Sequence, residues 1–458
     1  MSDRPGLLRT LGPFDATCVV IGAIIGVGIF FSPGQIARTA GSTDLAMLTW
    51  GAAALAALFG AWSFAQLGRD YPKSGGQYEI LKDAFGPFSG GLCVLTCISV
   101  IIPGSIAVIA LICAQNLLPA LAGRDASSAE TLLYAHGLIW LLAAVNVVGV
   151  RWGAGVQNTT VIVKLGVLAL VVACALFFSG GGVASDAATA SDAAAASASP
   201  LHSVQGGWLG ALLAGLIPAF FAYGGWQQVL WLGGEVKNAR RVLPLAILAG
   251  VGVVVVTYLA ANWAYFHLLG FEGVARSKAL AADALQQVLG SGAARLIAAG
   301  VTISAFGVLN VQFMAGPRLA FAAARDGRFF SVFGKVHQRF STPAHAIVAM
   351  AACASLLLAC AGADGLDPLT AWVVVPDAIF MILTAMALPL LRRRAHAHLR
   401  VPLFCWLFPV LFSLVELGAI GGACLDSSVR NAALLGLTWM SLLALLWWAR
   451  FRHAPTAT

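Results

Sequence analysis

Charge is scarce in this sequence. Only 10% of its 458 residues are Asp, Glu, Lys or Arg, where a soluble domain carries about 25%. Beside 60% hydrophobic residues, that shortage excludes a soluble globular domain and points to a chain that crosses a bilayer many times. Catalytic patterns are missing too. There is no G-x-S-x-G, no H-E-x-x-H and no Walker lysine motif, and the histidines are scattered and mostly in loops. Neither an enzyme, nor a cofactor, nor a metal is expected. All nine cysteines fall in apolar runs and none forms a CxxC pair. They are expected as small apolar core residues rather than ligands or disulfides. No small-residue cleavage site follows the first apolar run, so that run is expected to stay in the protein.

The net charge of +8 raises the question of nucleic acid, and its distribution answers against it. A span needs about 20 apolar residues, and twelve such runs are found. They cover roughly 14–38, 45–67, 88–118, 132–150, 156–178, 207–232, 244–269, 294–322, 343–362, 368–391, 402–422 and 431–449. With an inside N-terminus, 20 Lys and Arg fall in inner loops and six in outer ones; Lys164, within a span, completes the 27. This is the positive-inside pattern, and it places both termini in the cytoplasm. An inner cell membrane of bacterial type suits the composition. Residues 179–206 read as a flexible external loop, because Ala184 to Pro200 is a low-complexity run of Ala, Ser and Asp with no basic residue. Within 271–291, Leu280, Leu285, Val288 and Leu289 suggest a short external helix.

Two runs are apolar yet poor helices. The first, Val20 to Pro33, holds Gly22, Gly26, Gly28 and Pro33; the second, Ile217 to Trp226, holds Pro218, Gly224 and Gly225. A helix broken at membrane depth leaves backbone groups unpaired, each at a cost of several kcal/mol (about 4–8 for an amide in hydrocarbon). Such a break is tolerated only where it is buried in protein or lines a wet cavity. The breaks fall in the first and sixth runs. Five spans separate equivalents, so the second half enters from the opposite face, the inverted-repeat logic of secondary transporters. The expected organisation is an all-α polytopic protein with one transporter domain over 1–450. Repeat one covers about 14–178 and repeat two about 207–391. Two added helices occupy 402–449, and a cytoplasmic tail 451–458.

At the first break, the free N–H groups of Gly26, Val27, Gly28 and Ile29 suit a carboxylate. The carbonyls of Ile24, Ile25, Phe221 and Ala222 suit an ammonium. One zwitterion meets both needs, an α-amino acid. Around it stand the side chains of Val27, Ile29, Phe30, Phe220, Phe221, Tyr223 and Trp226 beside Gly224 and Gly225, with no charged side chain in either break. A neutral substrate side chain is therefore expected.

Three charges lie within spans. Lys164, in the fifth, is a candidate fixed cation for the broken first helix, against snorkelling to the inner headgroups. Asp377, after Pro376 in the tenth, is a possible proton carrier; Glu416, in the eleventh, is a weaker one.

The residues also resemble a known family. Gly22-Ala23-Ile24-Ile25-Gly26-Val27-Gly28-Ile29-Phe30 is similar to the first-span signature of the amino acid–polyamine–organocation (APC) superfamily. Pro72-Lys73-Ser74-Gly75-Gly76-Gln77-Tyr78 with Phe85-Gly86-Pro87 resembles its loop between spans two and three. Phe221 to Trp226, Gly234-Glu235-Val236-Lys237-Asn238 and Arg240 to Pro244 resemble its sixth span and the loop beyond. Gly316-Pro317-Arg318 and Ala324-Arg325-Asp326-Gly327 resemble its eighth-span exit. The L-type amino acid transporter branch looks nearest. The resemblance implies a LeuT-like fold of five plus five spans, alternating access, carboxylate binding at Gly26, Val27 and Gly28, and ammonium binding at the first and sixth breaks. Lys164 matches the family's fifth-span lysine near a vacated sodium site, which implies sodium independence. Two departures stand out. Val27 sits where many members have a small hydroxyl residue. Leu121 to Thr131 lacks the cysteine with which animal members join a heavy chain, so no disulfide-linked heavy chain is expected. The reading is a sodium-independent exchanger or facilitator of neutral amino acids; the alternative is a proton-coupled symporter of amino acids or amines. A channel, a sensor and an intramembrane enzyme are the rival classes.

Overall fold

The computed structural model describes residues 7–178, 207–277, 280–289, 293–362, 366–395, 402–425 and 427–452. The proposed loop 179–206 and the last six residues lie outside them. Among the described residues, twelve helices are long and apolar enough to cross a membrane. Spans 1–6 are Pro13–Ala40, Thr43–Asp70, Pro87–Ala122, Ser128–Val148, Val150–Phe177 and Gly207–Trp231. Spans 7–12 are Ala239–Arg276, Arg295–Arg325, Ala344–Ala361, Trp372–Ala395, Phe404–Gly421 and Leu434–Phe451. Each falls on a run read from the sequence. No strand occurs among the described residues, and the helix expected between spans 7 and 8 is Leu280–Leu289.

Eight spans sort into two groups by packing. Spans 1, 2, 6 and 7 pack on one another, and so do spans 3, 4, 8 and 9. Spans 1, 2, 3 and 4 each touch the span five places later. Span 5 lies between the groups, against spans 1, 7 and 8. The second group is pinned by polar side chains that have no water to bond. Asn146 on span 4 donates to Asn310 on span 8 at 2.9 Å, and Asn310 donates to the Gly153 carbonyl of span 5 at 2.7 Å.

Both irregular runs are interrupted where the glycines stand. Span 1 comprises helices Pro13–Ile24 and Gly28–Ala40; span 6 comprises Gly207–Tyr223 and Gln228–Trp231. Gly225 has φ +108°, and a Cβ there would lie 2.7 Å from the Ala23 carbonyl oxygen. Gly28 meets Ala222 as closely, with a Cβ at 2.9 Å from its Cα. The two broken helices therefore cross in contact, which only glycine allows. Span 3 carries a further irregularity, a π-helical turn at Cys97–Ile101 just before Pro103. Proline has no N–H for the Ser99 carbonyl, and the Cys353 thiol donates to that oxygen instead, at 3.6 Å.

The face carrying Leu11 is laced shut. Thr10 and Leu11 N–H groups donate to the Glu235 carbonyl at 2.9 and 3.0 Å, and Lys237 N–H donates to Leu11 at 2.9 Å. The Arg318 guanidinium pairs with the Glu235 carboxylate at 2.6 and 3.2 Å, both side chains 1% exposed. The Trp231 indole donates to Gln77 Oε1, and Gln77 donates to Thr384, each at 3.0 Å. At the rim, Lys82 donates to Glu79 and Asp326. Partial burial lowers the Lys82 pKa, but those two bonds outweigh it and the net shift is upward.

The cysteines depart from expectation at one place. Most of those described are buried, but Cys360 on span 9 is exposed on the flank of the bundle. An apolar thiol on a lipid-facing flank costs nothing, since lipid tails are as apolar as a core.

Candidate functional site

A cavity of about 160 Å³ lies between the two groups of spans, near the breaks. That is several times the ~30 Å³ share of one liquid water. Ile24, Gly26, Val27 and Gly28 line it from span 1. Phe220, Phe221, Tyr223, Gly224, Gly225 and Trp226 line it from span 6. The remaining wall comes from spans 2, 3, 8, 10 and 11. The expected residues therefore converge, with three exceptions. Ile25 and Ile29 are fully buried and do not line the cavity, and Ala222 sits behind the wall against Gly28.

The backbone at the first break is partly committed. Gly26 N–H already donates to the Ile24 carbonyl at 2.7 Å. Val27, Gly28 and Ile29 N–H groups find no acceptor among the described residues. They open the second half-helix, where the partial positive charge of the dipole gathers. On the span 6 side, the Phe221 and Tyr223 carbonyls lie in the last turn of a helix and accept nothing among the described residues. Donors therefore stand on span 1 and acceptors on span 6.

The span 1 carbonyls are occupied from behind. Tyr258 on span 7 donates to Ile24 at 3.0 Å. Lys164 donates to Gly22 at 3.0 Å and to Ile25 at 2.7 Å. Ser304 on span 8 reaches the Ile25 and Gly26 carbonyls, each at 3.2 Å. Lys164 is 1% exposed and does not snorkel; it is held against the break, outside the cavity wall. Gly307 makes room for it, since a Cβ there would stand 2.9 Å from Nζ. The Ile24 and Ile25 carbonyls, expected to accept from a ligand, here accept from Tyr258, Lys164 and Ser304.

Aromatic rings fix the other wall. Trp226 packs edge-on to Phe64 with centroids 4.6 Å apart, and Tyr223 packs against Trp50 at 5.6 Å and Tyr258 at 5.2 Å. Six non-aromatic polar side chains also reach the lining: Ser105, Gln227, Gln228, Gln312, Asp377 and Glu416. Of these, only the two carboxylates were singled out from sequence. The signal for the glutamines was present, because polar residues are costly inside apolar runs, and Gln227-Gln228 follow the second break directly.

Comparison with known proteins fits this geometry. The family model described as "Amino acid permease" matches residues 11–425. The serine/threonine exchanger SteT of Bacillus subtilis is 30% identical over 414 residues, 89% of each chain. The b(0,+)-type amino acid transporter 1 of Mus musculus is 28% identical over 412 residues, 89% of this chain and 82% of its own. The large neutral amino acids transporter small subunit 2 of Homo sapiens is 32% identical over 354 residues, 77% of this chain and 64% of its own.

Proposed function

The chain belongs to the amino acid permease family, in the L-type-like branch of the APC superfamily, and from that premise we propose that it is a sodium-independent exchanger or facilitator of neutral amino acids. It is an integral membrane transporter, not an enzyme. The observation that carries the substrate reading is the pairing of uncommitted groups across one cavity. Free N–H groups of Val27 and Gly28 receive the carboxylate, and the terminal carbonyls of the first half of span 6 receive the ammonium. Apolar and aromatic side chains surround the rest.

The breaks act as hinges. Spans 1–5 and 6–10 form two inverted units, and the first group of spans rocks against the scaffold of spans 3, 4, 8 and 9. The laced face around Glu235 and Arg318 is the cytoplasmic gate in its closed position, consistent with the excess of Lys and Arg on that side. Sodium independence rests on Lys164, whose ammonium satisfies carbonyls of the first break that a bound cation would otherwise take.

Lys164→Ala removes a charged donor from two carbonyls. Each such bond is worth about 1.5–3 kcal/mol, so exchange should slow at least tenfold, read as initial uptake rate in proteoliposomes. A rate within twofold of wild type would remove Lys164 from the mechanism.

The mode is tested by uptake of labelled neutral amino acid into vesicles preloaded with unlabelled amino acid or left empty. Uptake only into preloaded vesicles, indifferent to sodium and to pH, is the exchanger result. A second reading, a proton-coupled symporter, draws on Asp377 and Glu416, which line the cavity without a cationic side chain beside them. Uptake into empty vesicles driven by an inward proton gradient would select it.

A further inference from the structure

We infer that the ends of spans 10 and 12 and the start of span 3 form a docking site for the headgroup of an anionic phospholipid. The site lies on the face that carries Leu11, away from the cavity. A lipid bound there clasps the three ends together and stabilises the fold. The inference is independent of the substrate reading.

Three helices end here. Helix Gly76–Phe85 leads into span 3, and Arg394 of span 10 caps its last turn, Nη1 donating to the Asp83 and Ala84 carbonyls at 2.9 and 3.0 Å. Span 12 ends at Phe451, whose carbonyl accepts from Arg328 Nη1 at 3.0 Å. Span 10 ends at Ala395. Phe88, in the first turn of span 3, ties these ends together by packing edge-on to Trp447 of span 12, with centroids 5.3 Å apart. Arg328 is 8% exposed. It and Arg394 are each anchored through one nitrogen, and their other nitrogens have no partner among the described residues. Arg393, Arg450 and Arg452 are exposed and make no hydrogen bond or ion pair among the described residues. The Arg452 guanidinium lies over the Trp448 ring, 3.9 Å from its centroid.

Capping helix ends does not use up this charge. Glu79 and Asp326 are already paired with Lys82, and Asp70 lies against Arg392. Each of the three helix C-termini brings about half a negative charge and Asp83 brings one, so of five guanidinium charges about two to three stay uncompensated. The rings around them name the occupant. Phe85, Phe88, Phe330 and Trp448 are large apolar side chains left exposed beside the arginines. Aromatic rings at the ends of spans sit at the depth of lipid headgroups. A small anion in solution would use the guanidinium groups alone. A phospholipid uses both, with its phosphate on the arginines and its chains against the rings. The phosphate oxygens fit the guanidinium fork through two parallel N–H···O bonds. Phosphatidylcholine carries the same phosphate but cancels its charge with the choline, so the uncompensated charge selects an anionic headgroup.

The test is lipid retention by the detergent-purified full chain, read by native mass spectrometry, with phosphatidylglycerol and phosphatidylcholine as probes. Thermal unfolding in the same detergent gives a second readout. Wild type should keep phosphatidylglycerol in preference to phosphatidylcholine, and added phosphatidylglycerol should raise its melting temperature. A triple variant, Arg393→Gln with Arg450→Gln and Arg452→Gln, breaks no hydrogen bond or ion pair and should melt normally without lipid. It should bind phosphatidylglycerol at least about tenfold more weakly and gain no stability from it. The control removes the same charge from exposed arginines elsewhere on that face, Arg151→Gln with Arg240→Gln and Arg241→Gln, and should bind within about twofold of wild type. Equal loss in both triple variants would show diffuse surface charge and overturn the site. Equal retention of the two lipids would overturn it as well. Stabilisation by inorganic phosphate to the same extent as by phosphatidylglycerol would assign the arginines to a soluble anion instead.

Discussion

Glu235→Ala is expected to destabilise the protein by about 3–5 kcal/mol and to stop exchange. The change leaves the Arg318 guanidinium 1% exposed and without its carboxylate. One of its nitrogens, Nη1, already lacks a partner among the described residues. The loss also loosens the strip that holds residues 10–11 to 235–237. Thermal unfolding in detergent reads the first effect and counterflow reads the second. Replacing both partners by apolar residues of similar size, Glu235→Leu with Arg318→Met, should restore the melting temperature, because the orphaned charge is gone. It should not restore exchange, since an apolar seal lacks the polar groups that water can solvate when the gate opens. If the double variant recovers both, the pair is structural and the gate lies elsewhere.

Gly26→Leu should cut uptake at least ~100-fold, the equivalent of about 2.8 kcal/mol, while leaving the protein inserted. A Cβ on Gly26 would meet the Val308 methyl Cγ2 at 3.1 Å, in direct contact. Alanine needs the stiff, β-branched Val308 to give by a few tenths of an ångström, whereas leucine fills the space beside the proposed carboxylate donors. Gly26→Ala should therefore be the milder change, and Val308→Ala should relieve it. Uptake that survives Gly26→Leu with normal affinity would move the substrate away from the first break.

The positions of the spans were legible because length and hydropathy settle them: twelve runs were read and twelve helices stand there. The breaks were legible for a local reason. Gly26, Gly28, Gly224 and Gly225 sit where apolar chain has no other reason to avoid a regular helix. Which backbone groups face the ligand was not legible. That Tyr258, Lys164 and Ser304 take the carbonyls of Gly22, Ile24, Ile25 and Gly26 depends on helix rotation and on contacts more than a hundred residues apart. The burial of Ile25, Ile29 and Ala222 behind the wall has the same origin. Lys164 was legible as an intramembrane cation, yet its place behind the break rather than in the cavity needed the packing of spans 1, 5 and 8. Gln312 and Glu416 were legible as polar residues inside apolar runs, but that they reach the cavity from spans 8 and 11 depends on helix rotation.

Competition by substrate fragments tests the central claim most directly, that an amino acid spans the two breaks with its carboxylate on span 1 and its ammonium on span 6. A transported neutral amino acid would be compared with its methyl ester, its N-acetyl form and the amine left by removing the carboxylate. The account predicts that only the intact zwitterion competes for labelled uptake, each truncated form being weaker by at least ~100-fold. Equal competition by the amine would show that the free N–H groups of Val27 and Gly28 hold no carboxylate, and would contradict the account.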